Sequence, residues 1–114
     1  MCAFKPDPPL IVTTTNVNDF VKVAWAAPIT NGWPISEYKI YIREHSSSQF
    51  TQETLECDGT DATIISQRWC LIHLDTLKSA PYNLVKDEGV YAKIISINVY
   101  GESALSSAGN GALI

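Results

Sequence analysis

The sequence lacks the features that mark membrane-spanning and nucleic-acid-binding chains. No apolar run reaches the roughly 18 residues of a membrane-spanning helix, and residues 1–9 lack the basic and apolar regions of a signal peptide. The 8 lysines and arginines are scattered singly among 12 acidic residues, for a net charge of −4. No basic stripe is therefore present to bind phosphates. We expect neither a nucleic-acid partner nor a membrane span.

Catalytic and metal-binding motifs are missing too. His73, Asp75 and several serines supply the residue types of a triad, but no nucleophile elbow or glycine-rich oxyanion loop accompanies them. The spacing of Cys70 and His73 suits zinc, yet residues three apart in a strand point to opposite faces. Four acids in predicted turns lack the spacing of an EF-hand; they are Asp58, Asp61, Asp87 and Glu88. We expect no enzyme, no cofactor and no metal, with His73 pointing to solvent.

Two alternating segments joined by a loop rich in turn formers are the clearest structural signal. The apolar residues at alternate positions are Val21, Val23 and Trp25 in the first segment and Tyr38, Ile40 and Ile42 in the second. A period of two with β-branched or aromatic residues on one side predicts half-buried strands. The loop contains Pro28, Asn31, Gly32 and Pro34. It is too long for a tight hairpin, so we expect it to cross between two sheets.

The whole chain follows this pattern of short strands and turns. Its 114 residues, 46% hydrophobic and 18% charged, fit one globular domain. We predict strands at 10–15, 20–26, 36–44, 50–57, 69–74, 89–98 and 104–114, with an additional short extended segment at 62–65. Between 74 and 84, Asp75 is predicted to cap a short helical turn that Pro81 stops.

Several of these residues resemble the fibronectin type III family. They are Trp25 with Pro28, the segment from Gly32 through Pro34 and Ile35 to Tyr38, and the later Leu84 and Asn98-Val-Tyr-Gly101-Glu-Ser103. The resemblance covers nearly the whole chain. It implies an all-β, seven-stranded antiparallel immunoglobulin-like β-sandwich at 10–114, with 1–9 as a proline-rich lead-in. The cysteine in 69–74 and the Val-Tyr-Ala-Lys of 90–93 resemble the variant in surface proteins of ciliates.

The resemblance also implies a disulfide. It puts Cys57 at the end of the 50–57 strand and Cys70 in the 69–74 strand, close enough to pair; two reduced, buried thiols are the alternative. Cys2 is then a free thiol or the partner of another domain or chain. A disulfide favours an extracellular or cell-surface location. A sandwich that begins so near Met1 is then expected to be a fragment of a longer or processed protein.

One face differs from that of a solvated sandwich. In the predicted strand at 89–98, the residues expected to point outward are more apolar than those expected to point inward. Tyr41 of a neighbouring strand is expected to lie beside the outward ones. Exposed apolar patches tend to mark interfaces. The candidate interface therefore consists of Tyr41, Tyr91, Ile95 and Ile97, with rim charges from Lys39, Arg43 and Lys93. The alternative is a register shifted by one residue, which would turn these side chains inward.

The resemblance implies a non-enzymatic structural or adhesive module, suited to be a repeating unit of a filament. Its neighbours would be tandem domains or further copies. The alternative is a recognition module that binds a protein or glycan ligand through Trp33 and Tyr100, which the resemblance puts in two loops at one end. Packing of both rings over the edge of the core is the competing interpretation.

Overall fold

The computed structural model describes residues 6–28, 34–45 and 47–114, which form two antiparallel sheets. One sheet contains Leu10–Val17 (β1), Phe20–Ala26 (β2) and Trp69–His73 (β5), in the order β1-β2-β5. The other contains Glu37–Arg43 (β3), Phe50–Gln52 (β4), Ala92–Asn98 (β6) and Gly101–Glu102 (β7), in the order β4-β3-β6-β7. Two short helices, Ala62–Gln67 (α1) and Leu74–Lys78 (α2), flank β5. The predicted all-β sandwich is confirmed.

The core lies between the sheets and follows the predicted alternation. In β2 and β3 every second side chain is buried and those between are half-buried. Trp25 of one sheet meets Tyr38 of the other edge to face, with ring centroids 5.2 Å apart. This arrangement is favourable for aromatic pairs. The crossing from β2 to β3 joins the two sheets, as the loop length predicted.

The segment after β7 is not the predicted strand at 104–114. It is bonded irregularly to β6 and to the residues before it, with isolated bridges from Gly109 to Ala92 and from Leu113 to Gly89. The reason is that serine side chains replace backbone acceptors: the Ile94 and Ser96 N–H groups donate to the hydroxyls of Ser106 and Ser103, both at 2.9 Å. A regular ladder needs backbone carbonyls at those positions.

The chain end is also bonded to β1, so it closes one side of the sandwich. The Thr14 hydroxyl donates to the Val90 carbonyl at 2.8 Å and accepts from the Ala112 N–H at 3.0 Å. The Asn16 side-chain amide exchanges two hydrogen bonds with the backbone of Leu113. These bonds join positions that are 76 to 98 residues apart. They attach the end of the chain to β1, and they attach β1 to Val90, just before β6.

The region 50–65 differs from the prediction twice. β4 ends at Gln52 instead of 57, and a buried Glu53 follows it. The Glu53 carboxylate accepts from the Tyr82 hydroxyl and from the Glu56 N–H, both at 2.8 Å, and these bonds hold the chain in a turn. Residues 62–65 belong to α1 instead of an extended segment, because the Asp61 carboxylate accepts from the first-turn N–H groups and caps the helix.

The predicted helical turn before Pro81 is present as α2, which ends at Lys78. Its N-cap is His73, and Asp75 lies inside the first turn, so the predicted capping role of Asp75 is wrong. Leu77 of this helix is fully buried. No helix in the described ranges has the length and apolar content that crossing a membrane requires.

We predict that Tyr82→Phe lowers the free energy of unfolding at pH 7 by about 1–3 kcal/mol, because Glu53 loses a donor inside the protein. Burial, together with the hydrogen bond to Glu53, raises the pKa of Tyr82 above its ordinary 10.0. The folded state therefore holds this proton more tightly, so its stabilising contribution is complete below pH 10.0 and is lost as the pH rises further. Urea denaturation between about pH 7 and pH 11 should show a shallower alkaline loss for the variant.

Tyr41→Phe is the matched control for this experiment. Tyr41 is half-buried on the outside of the sheet, and no hydrogen bond of its hydroxyl occurs in the described part of the chain. We expect it to leave the stability and its pH dependence unchanged. Equal losses in the two variants would contradict the role given to the Tyr82 hydroxyl.

Candidate interaction face

The outer surface of the four-stranded sheet gathers the predicted interface residues. We define the outer face by Glu37, Lys39, Tyr41, Arg43, Phe50, Gln52, Tyr91, Lys93, Ile95, Ile97 and Glu102. Strand pairing sets Arg43 opposite Phe50, Tyr41 opposite Lys93 and Lys39 opposite Ile95. The alternate side chains of β6 point inward and are buried, from Ala92 to Asn98. The shifted register is therefore wrong, and the predicted parity is confirmed.

The apolar residues of the outer face are less exposed than the sequence suggested. Ile95 is 9% exposed and Ile97 is half-buried. Lys39 on β3 forms an ion pair with Glu102 on β7, the strand on the other side of β6. Since Lys39 pairs with Ile95 and Glu102 pairs with Ile97, this ion pair crosses β6 above the two isoleucines. The hydrogen bond from Lys39 to Glu102 also raises the pKa of the ammonium, which keeps the pair charged.

The aromatic residues of the outer face are covered by cations. The Arg43 guanidinium lies 4.2 Å from the ring centroid of Tyr91, and the Lys93 ammonium lies 4.6 Å from that of Phe50. Such contacts are attractive because the ring face is electron-rich. The sequence predicted Lys39, Arg43 and Lys93 as a rim; the structure places them on the apolar side chains themselves.

Sequence reasoning missed the contribution of Phe50 to the outer face. In the sequence analysis Phe50 was only the first residue of the predicted strand at 50–57. Its position opposite Arg43 depends on the pairing of β3 with β4. The signal in the sequence was the short polar segment at 45–48, which favours pairing of the segments on either side of it as a hairpin and so brings residues 43 and 50 together.

The alternative site is described only in part. Trp33 lies outside the described residues. Tyr100 lies in the turn between β6 and β7, where its N–H donates to the Asn98 side chain at 2.8 Å. Its side chain is 47% exposed and the neighbouring Val99 is 68% exposed. That the two aromatic residues share one end of the sandwich stays a prediction.

A disulfide joins Cys57 and Cys70, and both residues are buried. Cys70 lies on β5, whereas Cys57 lies in the connection between β4 and α1 and not at the end of a strand. The disulfide therefore ties an irregular connection to the edge of the three-stranded sheet. Cys2 lies outside the described residues.

A polar cluster adjoins the disulfide. The Glu56 carboxylate accepts from the Thr76 hydroxyl, the His73 ring and the His73 N–H. Burial alone would raise the pKa of Glu56, but the hydrogen bonds from Thr76 and His73 lower it further than burial raises it. The His73 ring stacks on Phe20 with centroids 4.2 Å apart. His73 is exposed and points to solvent, as predicted, and its ring also takes part in this cluster.

The positions of Cys70, His73 and Asp75 bear on the zinc site and the catalytic triad that the sequence analysis considered. Cys70 points into the core and His73 outward, on opposite faces of β5. His73 and Asp75 line a shallow cleft of about 340 Å³ together with Asp19, Leu74 and Lys78. Within the described ranges, no group of three histidine, cysteine or acidic residues is arranged to hold a metal ion.

Comparison with protein-family models and with the sequences of curated proteins gives no match. Among solved structures, the chain is similar to titin kinase with its flanking domains, at a TM-score of 0.68 and 17% identity over 97% of this chain and 18% of that one. It is similar to the FN1–FN3 domains of chicken contactin (CNTN1), at 0.63 and 18% over 92% and 31%. It is also similar to an FN3tt mutant, at 0.61 and 15% over 94% of both chains.

The chain spans less than a third of the length of the first two structures. At this level of identity the likeness concerns the fold alone. The FN3tt likeness extends over nearly the whole of both chains, so it compares one domain with one domain. Together with the two sheets and their strand order, it shows that this chain has the fold of a fibronectin type III domain.

Proposed function

We propose that the chain is a non-enzymatic structural or adhesive module of an extracellular or cell-surface protein. It associates with protein neighbours through the outer face and can serve as a repeating unit of a filament. The observation that carries the proposal is the composition of the outer face, where aromatic and aliphatic side chains alternate with cations. The resemblance to surface proteins of ciliates is part of this proposal.

The composition of the outer face supports association. An antiparallel sheet with one solvated side is expected to carry polar residues there. Tyr41, Tyr91 and Phe50 instead occupy neighbouring positions with Arg43 among them. Tyrosine and arginine are enriched at the energetically important centres of protein interfaces. A sheet surface with this composition is suited to contact another protein surface.

The disulfide supports the proposed location. Disulfides persist in oxidising compartments and are rare where thiols are kept reduced. Cys57 and Cys70 are both buried, so their bond is shielded from reductants in solution. A buried disulfide of this kind favours a protein that functions outside the cell.

The lead-in at 1–9 is proposed to connect the module at 10–114 to a preceding domain. Proline fixes the backbone and makes such a connection stiff. Pro6 and Pro9 are buried in the structure, so the lead-in packs on the module from residue 6 onward. A stiff, packed connection would hold tandem domains at a defined angle.

We predict that Cys57 and Cys70 resist alkylation in denaturant until they are reduced, as measured by intact mass. Replacing both with alanine should lower the free energy of unfolding by about 3 kcal/mol, because the cross-link restricts the unfolded chain. Cys2→Ser is the control and should leave stability unchanged. Alkylation of all three thiols without reduction would contradict the extracellular assignment.

We predict that Ile97→Asp abolishes association of the module with itself or with a tandem neighbour, because a carboxylate would be buried in the contact between Glu37 and Glu102. Sedimentation velocity over a range of concentrations measures this for the parent and the variant. Leu55→Asp is the matched control: Leu55 is 87% exposed and lies away from the outer face, in the connection after β4.

A thermal melt of each variant separates lost association from lost folding. Association retained in Ile97→Asp, or lost equally in Leu55→Asp, would contradict the use of the outer face. A parent protein that stays monomeric at every concentration would contradict self-association. If glycan or peptide binding then depended on Tyr100, the recognition function would replace the structural one.

A further inference from the structure

The charges of the outer face are distributed unevenly along the strands. Arg43 and Lys93 lie toward one end, where strand pairing sets Arg43 opposite Phe50 and Lys93 opposite Tyr41. Glu37 and Glu102 lie at the other end, on either side of Ile97. Arg43 and Glu37 are six residues apart on β3, a distance of about 20 Å along a strand. The outer face is therefore cationic at one end and acidic at the other.

Three of these charges, Arg43, Lys93 and Glu37, lack ion-pair partners within the described residues, whereas Glu102 is paired with Lys39. The Arg43 Nε is buried and has no hydrogen-bond partner among these residues. Because the Nε is buried, the terminal N–H groups of this guanidinium are the ones suited to bind a carboxylate from another molecule.

We propose that two copies of this chain pair outer face to outer face about a two-fold axis perpendicular to the strands. The axis passes between Lys39 and Tyr41, so Arg43 of each copy meets Glu37 of the other copy. This inference rests on the proposed use of the outer face for association. It adds the identity of the partner, which is a second copy, and the orientation of the pair.

The orientation follows from charge complementarity. An axis perpendicular to the strands reverses the order of residues along each strand but keeps the order of the strands across the sheet. Each strand therefore faces the same strand of the other copy in antiparallel direction. Tyr91 then lies over Ile97 of the second copy, and Tyr41 lies close to the ammonium of its Lys39. An axis parallel to the strands would instead set the cationic end of one copy against the cationic end of the other, and the acidic end against the acidic end. Like charges facing each other cost several kcal/mol, which disfavours that second arrangement.

The geometry of packed sheets allows these contacts. Facing sheets lie about 10 Å apart and cross at roughly 30°. Over about 10 Å from the axis to either end, that crossing displaces opposing residues by only about 5 Å. Arginine and glutamate side chains are long and flexible enough to meet across such an offset.

The size of the outer face implies a weak pair. Two strands about 20 Å long, β3 and β6, and the two much shorter strands β4 and β7 lie about 4.8 Å apart and present roughly 250–300 Å² of flat surface. Stable interfaces bury about 800 Å² on each partner. We therefore expect a concentration-dependent dimer that added salt weakens, since its charged contacts lie near solvent.

The test is sedimentation velocity on the folded chain with four samples: the parent, R43E, E37R and the double variant R43E/E37R. Each single change repels in both symmetry-related contacts, so we expect the dissociation constant to rise about tenfold or more. The double variant reverses both charges and should return to within about threefold of the parent. An equimolar mixture of the two single variants should also associate, because every contact in the mixed pair joins opposite charges.

The outcomes separate this inference from the proposed function. Suppose Ile97→Asp abolishes association but R43E and E37R associate as the parent does; then the outer face is used and the two-fold orientation is wrong. Single variants that weaken association without rescue in the mixture would equally overturn the orientation. Loss of folding in R43E, which also loses the contact with Tyr91, is checked by a thermal melt. In that case E37R and the salt dependence of the parent carry the test, and an E37R variant that associates normally overturns the inference.

Discussion

The burial of alternate side chains of β2 and β3 between the sheets is the interaction on which the rest of the structure depends. Each such side chain stabilises the fold by about 1.5–3 kcal/mol. Because the period of a strand is two, a slip of one residue in β3 would bury Lys39 and Arg43 and expose Ile40 and Ile42. The core therefore sets the parity of β3. Through the pairing of β3 with β6, it also sets which residues form the outer face.

The closure of the sandwich makes the outer face a better surface for the proposed association than the sheet edge is. The segment that follows β7 satisfies buried backbone groups with the side chains of Ser103, Ser106, Thr14 and Asn16. Buried N–H and carbonyl groups need such partners. The same bonds leave the outer edge irregular, and an irregular edge is a poor template for pairing with another strand. The flat surface of the four-stranded sheet is the more regular contact surface.

The sequence predicted the structural features that depend on the local alternation of apolar residues. It did not predict those that depend on contacts between side chains far apart in the chain. The bounds of β2 and the parity of β6 followed from period-two patterns alone. The end of β4 did not, because it depends on a hydrogen bond between Glu53 and Tyr82, 29 residues apart in the chain. The irregular final segment depends in the same way on serine hydroxyls that face β6. The helix at Ala62–Gln67 was different: Asp61 signalled an N-cap locally, but its neighbours were interpreted as a turn by composition.

The candidate site shows the same division between local and distant information. The parity of Ile95 and Ile97 could be predicted, but their cover could not, since the ion pair of Lys39 with Glu102 joins residues 63 positions apart. The cations that lie over the apolar side chains change which partners the outer face can bind. An open apolar patch would attract many partners, whereas cations held over aromatic rings leave a surface that water can solvate. A partner must then match charges as well as shape.

The identity of the cations decides how strong such a contact can be. An ammonium is strongly hydrated, so removing water from Lys39 and Lys93, which are both half-buried, weakens a contact that covers them. A guanidinium is more weakly hydrated and offers several donors in one plane, so Arg43 can be buried against a carboxylate at lower cost. The desolvation of charges offsets much of the attraction in any buried pair. In the proposed contact, Arg43 supplies the selectivity and the aromatic area beneath supplies the stability, while the desolvation of the charges keeps the contact weak.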